Sequence, residues 1–228
     1  LADGLDEFQK QAFEVITSPR LAEALDLSRE DSAIRSRYGL DRQYPNERQG
    51  KTLLDQFLLA RRVIEAGARC VTLAFSRWPF GRMLQGDYNW DWHKDNFNEA
   101  RGALPLLDLG LSAMIRDLDE RGLLDDIAVV TWGEFGRTPM SEKGDGRDHN
   151  PTGFTMWMAG GGIKGGVQLG KTDDYGYNVV EDAVHIRDLN ATILHCLGID
   201  HEKLTYRYSG RDFRLTDVHG HVVKDIFA

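Results

Sequence analysis

Apolar positions recur at helical spacing in the opening segment, at Leu5, Phe8, Ala12 and Ile16. Ser18-Pro19 then offers an N-cap and a first helical position for a short helix through Leu25. Ser28 with Asp31 three residues on reads as a capping box, and Gly39 as a stop after Tyr38. These helices are lightly apolar and rich in charge, which predicts that they lie on the outside of the domain. A clearer helical face runs from Glu47 to Ala66, marked by Leu53, Leu54, Phe57, Leu58, Arg61 and Ile64 and ended by Gly67. Arg69 to Phe75 follows as a predicted strand. Helix, glycine and buried strand is the α-to-β passage of a parallel sheet.

The same passage recurs. Phe97 to Leu123 has a helical pattern, with Pro105 marking a restart or kink and Gly122 the end. Ile127 to Thr131 is a short β-branched run that reads as a strand buried on both faces. Phe154 to Met158 reads as a further strand, Val167 to Leu169 as a short one, and Ile186 to Leu197 as a helix stopped by Gly198. The order α-β-loop-α-β-loop predicts an α/β fold, a mainly parallel central sheet flanked by helices, with both loops leaving one sheet edge. At 228 residues, one domain is expected, with a helical segment over about 1–45 and a sheet-containing core over about 46–228.

Composition narrows the chemistry. A formal charge of −8 and the absence of a basic stripe argue against nucleic acid. They leave room for an anionic small substrate, because a bound divalent cation inverts the local field. No apolar run has the length of a membrane span. The chain starts at Leu1 and carries no signal peptide, which reads as a fragment or a processed form. Cys70 and Cys196 sit in apolar runs and read as buried free thiols.

Ligands of open α/β sheets bind at the carboxyl ends of strands. The stretch leaving Thr131 carries Glu134, Arg137, Asp148 and His149 in a loop rich in glycine. The preceding loop, after Phe75, carries Asp91-Trp92-His93. Carboxylates and imidazoles together suit Zn²⁺, and also harder ions such as Mn²⁺, Mg²⁺ or Ca²⁺. The alternative for Asp148-His149 is a solvated dipeptide in a flexible loop. Arg137 has the bidentate geometry for phosphate or sulfate oxygens, against the alternative of a salt bridge to Glu134, Glu142 or Asp145. His185, at the entrance of the last helix, is a further candidate ligand, whereas His195 reads as a packed histidine. Gly160, Gly162 and Gly165 match a dinucleotide fingerprint in spacing, but turn and strand residues follow where it needs a helix. Trp78, Phe80, Tyr88, Trp90 and Trp92 would stack on a sugar ring or pin their loop to the body. Ser76, at the end of the Cys70 strand, is the hydroxyl best placed to act as nucleophile. Thr131 lies inside a predicted strand and Thr138 precedes a proline.

Several strings together resemble one family. They are Asn89-Trp90-Asp91-Trp92-His93, Gly133-Glu134-Phe135-Gly136-Arg137-Thr138-Pro139, Gly146-Arg147-Asp148-His149-Asn150-Pro151 and Gly160-Gly161-Gly162-Ile163-Lys164-Gly165-Gly166. Asp188-Leu189-Asn190-Ala191-Thr192-Ile193-Leu194-His195 and Gly210-Arg211-Asp212-Phe213 complete the set. It resembles the bacterial domain of unknown function 1501 family, related to the alkaline phosphatase and sulfatase superfamily. That resemblance implies an alkaline phosphatase-like α/β sandwich with divalent metal at the strand ends. Asp148 and His149 match the superfamily's Asp-His pair; Asp91 and His93 match its other site with a narrower spacing, and Glu134 has no counterpart. Metal-dependent hydrolysis of a small anionic ester, or of a sulfated or phosphorylated glycan, is the implied function. A non-catalytic exported binding domain on the same fold is the alternative. Export to the periplasm or cell surface is implied likewise. The chain departs in one respect: it opens with helices, without the superfamily's first strand, metal-binding Asp and nucleophile. The expectation is a fold lacking its N-terminal part, with weak turnover.

Overall fold

The computed structural model describes residues 2–42, 53–75 and 90–228. Ser76, Trp78, Phe80, Tyr88 and the first part of the expected Glu47 helix lie outside the described residues. The chain divides into two compact units, 1–120 and 121–228.

The first unit is helical: α1 (Ala2–Ile16), α2 (Pro19–Leu25), α3 (Ser32–Arg37), α4 (Asp55–Glu65) and α5 (Asn96–Glu120). Helix α3 is capped by Asp31, whose carboxylate accepts from the Ala33 N–H at 2.7 Å. Ser28 belongs instead to the preceding turn, where Asp26 accepts from its N–H and hydroxyl. Tyr38 follows α3, and Gly39, with φ of 76°, ends it. Helix α5 runs through Pro105 without a break, burying Ala103, Leu106, Gly110, Ala113, Met114 and Leu118 along one stripe. A Cβ on Gly110 would overlap the Phe57 ring, so this glycine sets how closely α5 approaches α4. Leu54, Ala103 and Leu106 form a buried cluster, with Leu40, Phe75, Trp90 and Trp92 packed against it.

Polar side chains hold the same helices. Arg61 on α4 is 3% exposed, and its guanidinium meets Glu30, Glu65 and Asp117, the last at 3.0 Å. Tyr38, fully buried, donates its hydroxyl to Asp117 at 3.0 Å. Burial, reinforced by the neighbouring Asp117 carboxylate, pushes the Tyr38 phenol well above its usual range. Arg62 reaches the other way, to Glu30 at 2.8 Å and to the Ala24 carbonyl at 2.9 Å, tying α4 to the end of α2.

Strands dominate the second unit, in four antiparallel pairs among the described residues. They are β1 (Val129–Thr131) with β4 (Trp157–Ala159), and β2 (Gly136–Glu142) with β3 (Gly146–Asn150). The other two are β5 (Lys171–Thr172) with β6 (Val179–Glu181), and β7 (Thr205–Tyr208) with β8 (Arg211–Arg214). Helix α6 (Ile186–Cys196) buries Leu189, Ala191, Thr192 and Leu194. The C-terminal segment docks on it: the His221 and Val223 N–H groups donate to Asp188 Oδ1 and Thr192 Oγ1 at 2.9 and 3.0 Å.

The expected α/β sandwich with a mainly parallel central sheet is not what the chain forms. Every described strand pair is antiparallel and two-stranded. Residues 69–75 run without strand pairing, and Cys70, expected to be buried, is exposed. The Ile127 run contributes only three paired residues, half-buried rather than covered on both faces. The glycine run after β4 packs against the segment that enters β1. Gly160, Gly161 and Gly162 all have positive φ, at 70°, 57° and 80°. A Cβ on Gly160 would strike the carbonyl oxygens of Leu124 and Ile127, and the Gly161 N–H donates to Leu124 at 2.9 Å. Such an approach is open only to residues without a side chain. The glycines therefore seat the chain leaving β4 against the entrance of β1. A β-branched run signals a strand but says nothing of the direction of its partner.

Candidate functional site

In the first unit, Trp90-Asp91-Trp92-His93 acquires its geometry from the two tryptophans. Trp90 donates Nε1–H to the Phe75 carbonyl at 2.7 Å, and its ring lies 5.3 Å from that of Trp92. Both rings pack on the cluster of Leu54, Ala103 and Leu106. The residues between and after them, Asp91 and His93, bring their side chains to each other. The His93 N–H donates to the Asp91 carbonyl at 3.2 Å, a three-residue turn, and His93 Nε2 lies 3.1 Å from Asp91 Oδ1. Both side chains are about one-third exposed. Trp90 and Trp92 thus act as anchors of the loop. The Trp92 Nε1–H is buried with no hydrogen-bond partner among the described residues.

Two donor atoms of one divalent ion, each about 2.0–2.2 Å from it, are separated by roughly 2.8–3.6 Å between right-angle and tetrahedral arrangements. The Asp91–His93 separation falls in that interval. One carboxylate oxygen and one imidazole nitrogen are donors that Zn²⁺ and Mn²⁺ both accept. The residues present therefore fit a divalent cation as two of its ligands.

In the second unit, Asp148 and His149 lie not in a loop but on β3, paired with β2 so that Arg137 stands opposite His149. Asp148 Oδ1 accepts from the His149 N–H at 2.7 Å, and the Asp148 N–H donates to Thr138 Oγ1 at 3.1 Å. The His149 ring stacks on Phe135 at 3.9 Å, nearly parallel, and the Arg137 guanidinium sits 5.5 Å from the same ring. Arg137 also donates to the Arg147 carbonyl at 3.3 Å. Phe135 is thus the post that orients both Arg137 and His149. The sequence singled out its neighbours and not Phe135 itself, although an aromatic set between Glu134 and Gly136 at a strand exit was a visible signal. Glu134 is exposed and makes no ion pair among the described residues.

His185 has a different occupation. It is the N-cap of α6: its Nδ1 accepts from the Arg187 N–H at 3.1 Å, and its own N–H donates to Asp188 Oδ2 at 2.8 Å. An acceptor Nδ1 puts the neutral ring's proton on Nε2, so ligation through either nitrogen would undo the cap. Replacing His185 with alanine is expected to cost about 1 kcal/mol of stability, while asparagine, a better cap, should restore it. Urea titrations of the three proteins check this. Equal stability of the alanine variant would mean the cap contributes nothing. His195, expected to be packed, is exposed, with its ring edge-on to Phe227 at 5.3 Å. Beside it, burial pushes the Cys196 thiol above its usual range, which makes it a poor nucleophile.

Asp91 and His93 thus belong to the first unit, and Glu134, Arg137, Asp148, His149 and His185 to the second. No described helix is long and apolar enough to cross a membrane. No curated protein and no solved structure matches the chain. The family model described as "Protein of unknown function (DUF1501)" matches residues 2–227, and the chain belongs to that family.

Proposed function

We propose that this member of the family binds a divalent cation through Asp91 and His93 and hydrolyses phosphate or sulfate esters. The observation that carries the reading is the 3.1 Å approach of Asp91 Oδ1 to His93 Nε2, held by two half-buried tryptophans. A bound divalent ion supplies Lewis-acid polarisation of an ester oxygen and lowers the pKa of water. Held beside Phe135 and bonded to the Arg147 carbonyl, Arg137 offers a planar donor fork suited to the non-bridging oxygens of a phosphate or sulfate. On sequence grounds Ser76 is the candidate nucleophile.

The test is a panel of aryl phosphate, phosphodiester and aryl sulfate substrates. Each is offered to chelator-treated protein and then with Zn²⁺, Mn²⁺, Mg²⁺ or Ca²⁺ restored. Turnover of one ester class is expected with metal and not without it, and Arg137→Ala should raise KM for that ester. Metal-independent turnover, or none with any of the four ions, would sink the reading.

A further inference from the structure

The hairpin β7–β8 owes its register to its turn. Ser209 and Gly210 both have positive φ, at 49° and 81°, the signature of a two-residue type I′ turn. The register pairs Thr205 with Arg214, Tyr206 with Phe213, Arg207 with Asp212 and Tyr208 with Arg211. Residues directly opposite in an antiparallel pair share a face, and alternate residues along a strand do too. Tyr206, Tyr208, Arg211 and Phe213 therefore stand on one face, and Thr205, Arg207, Asp212 and Arg214 on the other.

The two faces are chemically unlike. On the second, the charges are neutralised: Arg207 meets Asp212 at 3.2 Å and Arg214 meets Glu202 at 3.6 Å. The first carries three rings that nothing described covers, with Tyr206 71%, Tyr208 64% and Phe213 44% exposed. Its cation, Arg211, lies 4.9 Å from the Phe213 ring and has no carboxylate partner among the described residues. The Cβ atoms of these residues stand roughly 5–7 Å from their neighbours on this face, from the strand rise and the cross-strand spacing.

We propose that this face is a binding platform for an anionic glycan, with sugar rings stacked on the aromatic side chains and one acidic substituent on Arg211. Three features favour that occupant. Tyr206 and Tyr208 present an apolar body and a hydroxyl tip, matched to a pyranose with its apolar face and polar rim. The single uncompensated cation matches a ligand with sparse negative charge. A nucleic acid would need a basic stripe, which a chain of net charge −8 lacks. Arginines on both strands guard the hairpin edges against addition of another strand, as in a second copy of the chain. Binding of this kind needs no turnover, so it stands apart from the ester reading.

The experiment is calorimetric titration of the whole chain with four hexamers. These are chondroitin sulfate, unsulfated chondroitin, neutral cellohexaose and hexaglutamate. The two acidic glycans separate sulfate from carboxylate as the group on Arg211, and binding of either supports the proposal. Cellohexaose should bind about tenfold more weakly or worse, as should the acidic glycans to the double variant Tyr206→Ala/Tyr208→Ala. Arg211→Ala should erase the preference for acidic over neutral sugar. These side chains are exposed, so the variants should keep the parent circular dichroism spectrum. Unchanged affinity in the double variant, no binding of either acidic glycan, or hexaglutamate binding as tightly through the same residues would overturn it.

Discussion

Arg61→Ala is expected to lower the stability of the first unit by about 3–5 kcal/mol, the usual cost of leaving buried charges without their partner. The guanidinium is 3% exposed and meets Glu30 from the turn after α2, Glu65 on α4 and Asp117 on α5. Glu30 and Asp117 are themselves buried, with side chains 9% and 2% exposed. Without Arg61 the two carboxylates lose the buried guanidinium that both meet, in a medium of low dielectric, and Asp117 keeps the Tyr38 hydroxyl as a donor. A control separates this from ordinary surface pairing. Arg29 meets Glu23 at 3.0 Å, but both side chains are more than half exposed, so Arg29→Ala should cost less than about 1 kcal/mol. Urea unfolding followed by amide exchange on α4 and α5 reads both. Equal losses in the two variants would show that the Arg61 cluster adds nothing beyond surface charge.

The same cluster predicts an acid limb. Burial alone would raise the Glu30 carboxyl, but hydrogen bonds from Arg62 and Arg61 outweigh it and hold the group below its ordinary 4.5. A carboxyl lowered in the folded state contributes stability that is complete above the unfolded value. That contribution is lost as pH falls from about 4.5 through the lowered value. In Arg61→Ala this limb should shrink.

Much of the local structure was legible in the sequence, and the assembly of strands was not. Helices α5 and α6 follow the apolar period, and Gly39 and Gly198, both with positive φ, fall where helices stop. The parallel sheet failed because its evidence was local. Residues 69–75 and 127–131 have strand composition, yet direction and partners are fixed by contacts far along the chain, such as Gly160 against Leu124 and Ile127. His185 was legible as a helix entrance, but the ligand reading overlooked that an imidazole can cap. Asp148-His149 shows the opposite limit. The sequence places the pair in a loop, whereas it lies on β3, paired with β2. Asp91-x-His93 had the spacing that keeps two side chains on one side, and those are the two that meet.

His93→Ala is expected to weaken divalent-cation binding by at least about 100-fold. Loss of a residue that merely orients a metal ligand typically costs roughly 10–100-fold, and a direct ligand should cost no less. Asp91→Asn should fall between parent and His93→Ala, since the amide keeps one oxygen donor and loses the charge. Titration of chelator-treated protein with Zn²⁺ and Mn²⁺ measures all three. The loop is held by Trp90 and Trp92, so a change at His93 could act by loosening it rather than by removing a donor. Trp92→Phe separates the two causes. It keeps an aromatic ring against Leu54, Ala103 and Leu106 while removing part of the indole's volume and a buried N–H that has no partner among the described residues. Phenylalanine there should leave cation affinity unchanged while lowering stability by about 1 kcal/mol or more, because the smaller ring leaves a cavity against the cluster. If His93→Ala binds Zn²⁺ as tightly as the parent, the 3.1 Å contact is an ion pair and not half of a metal site.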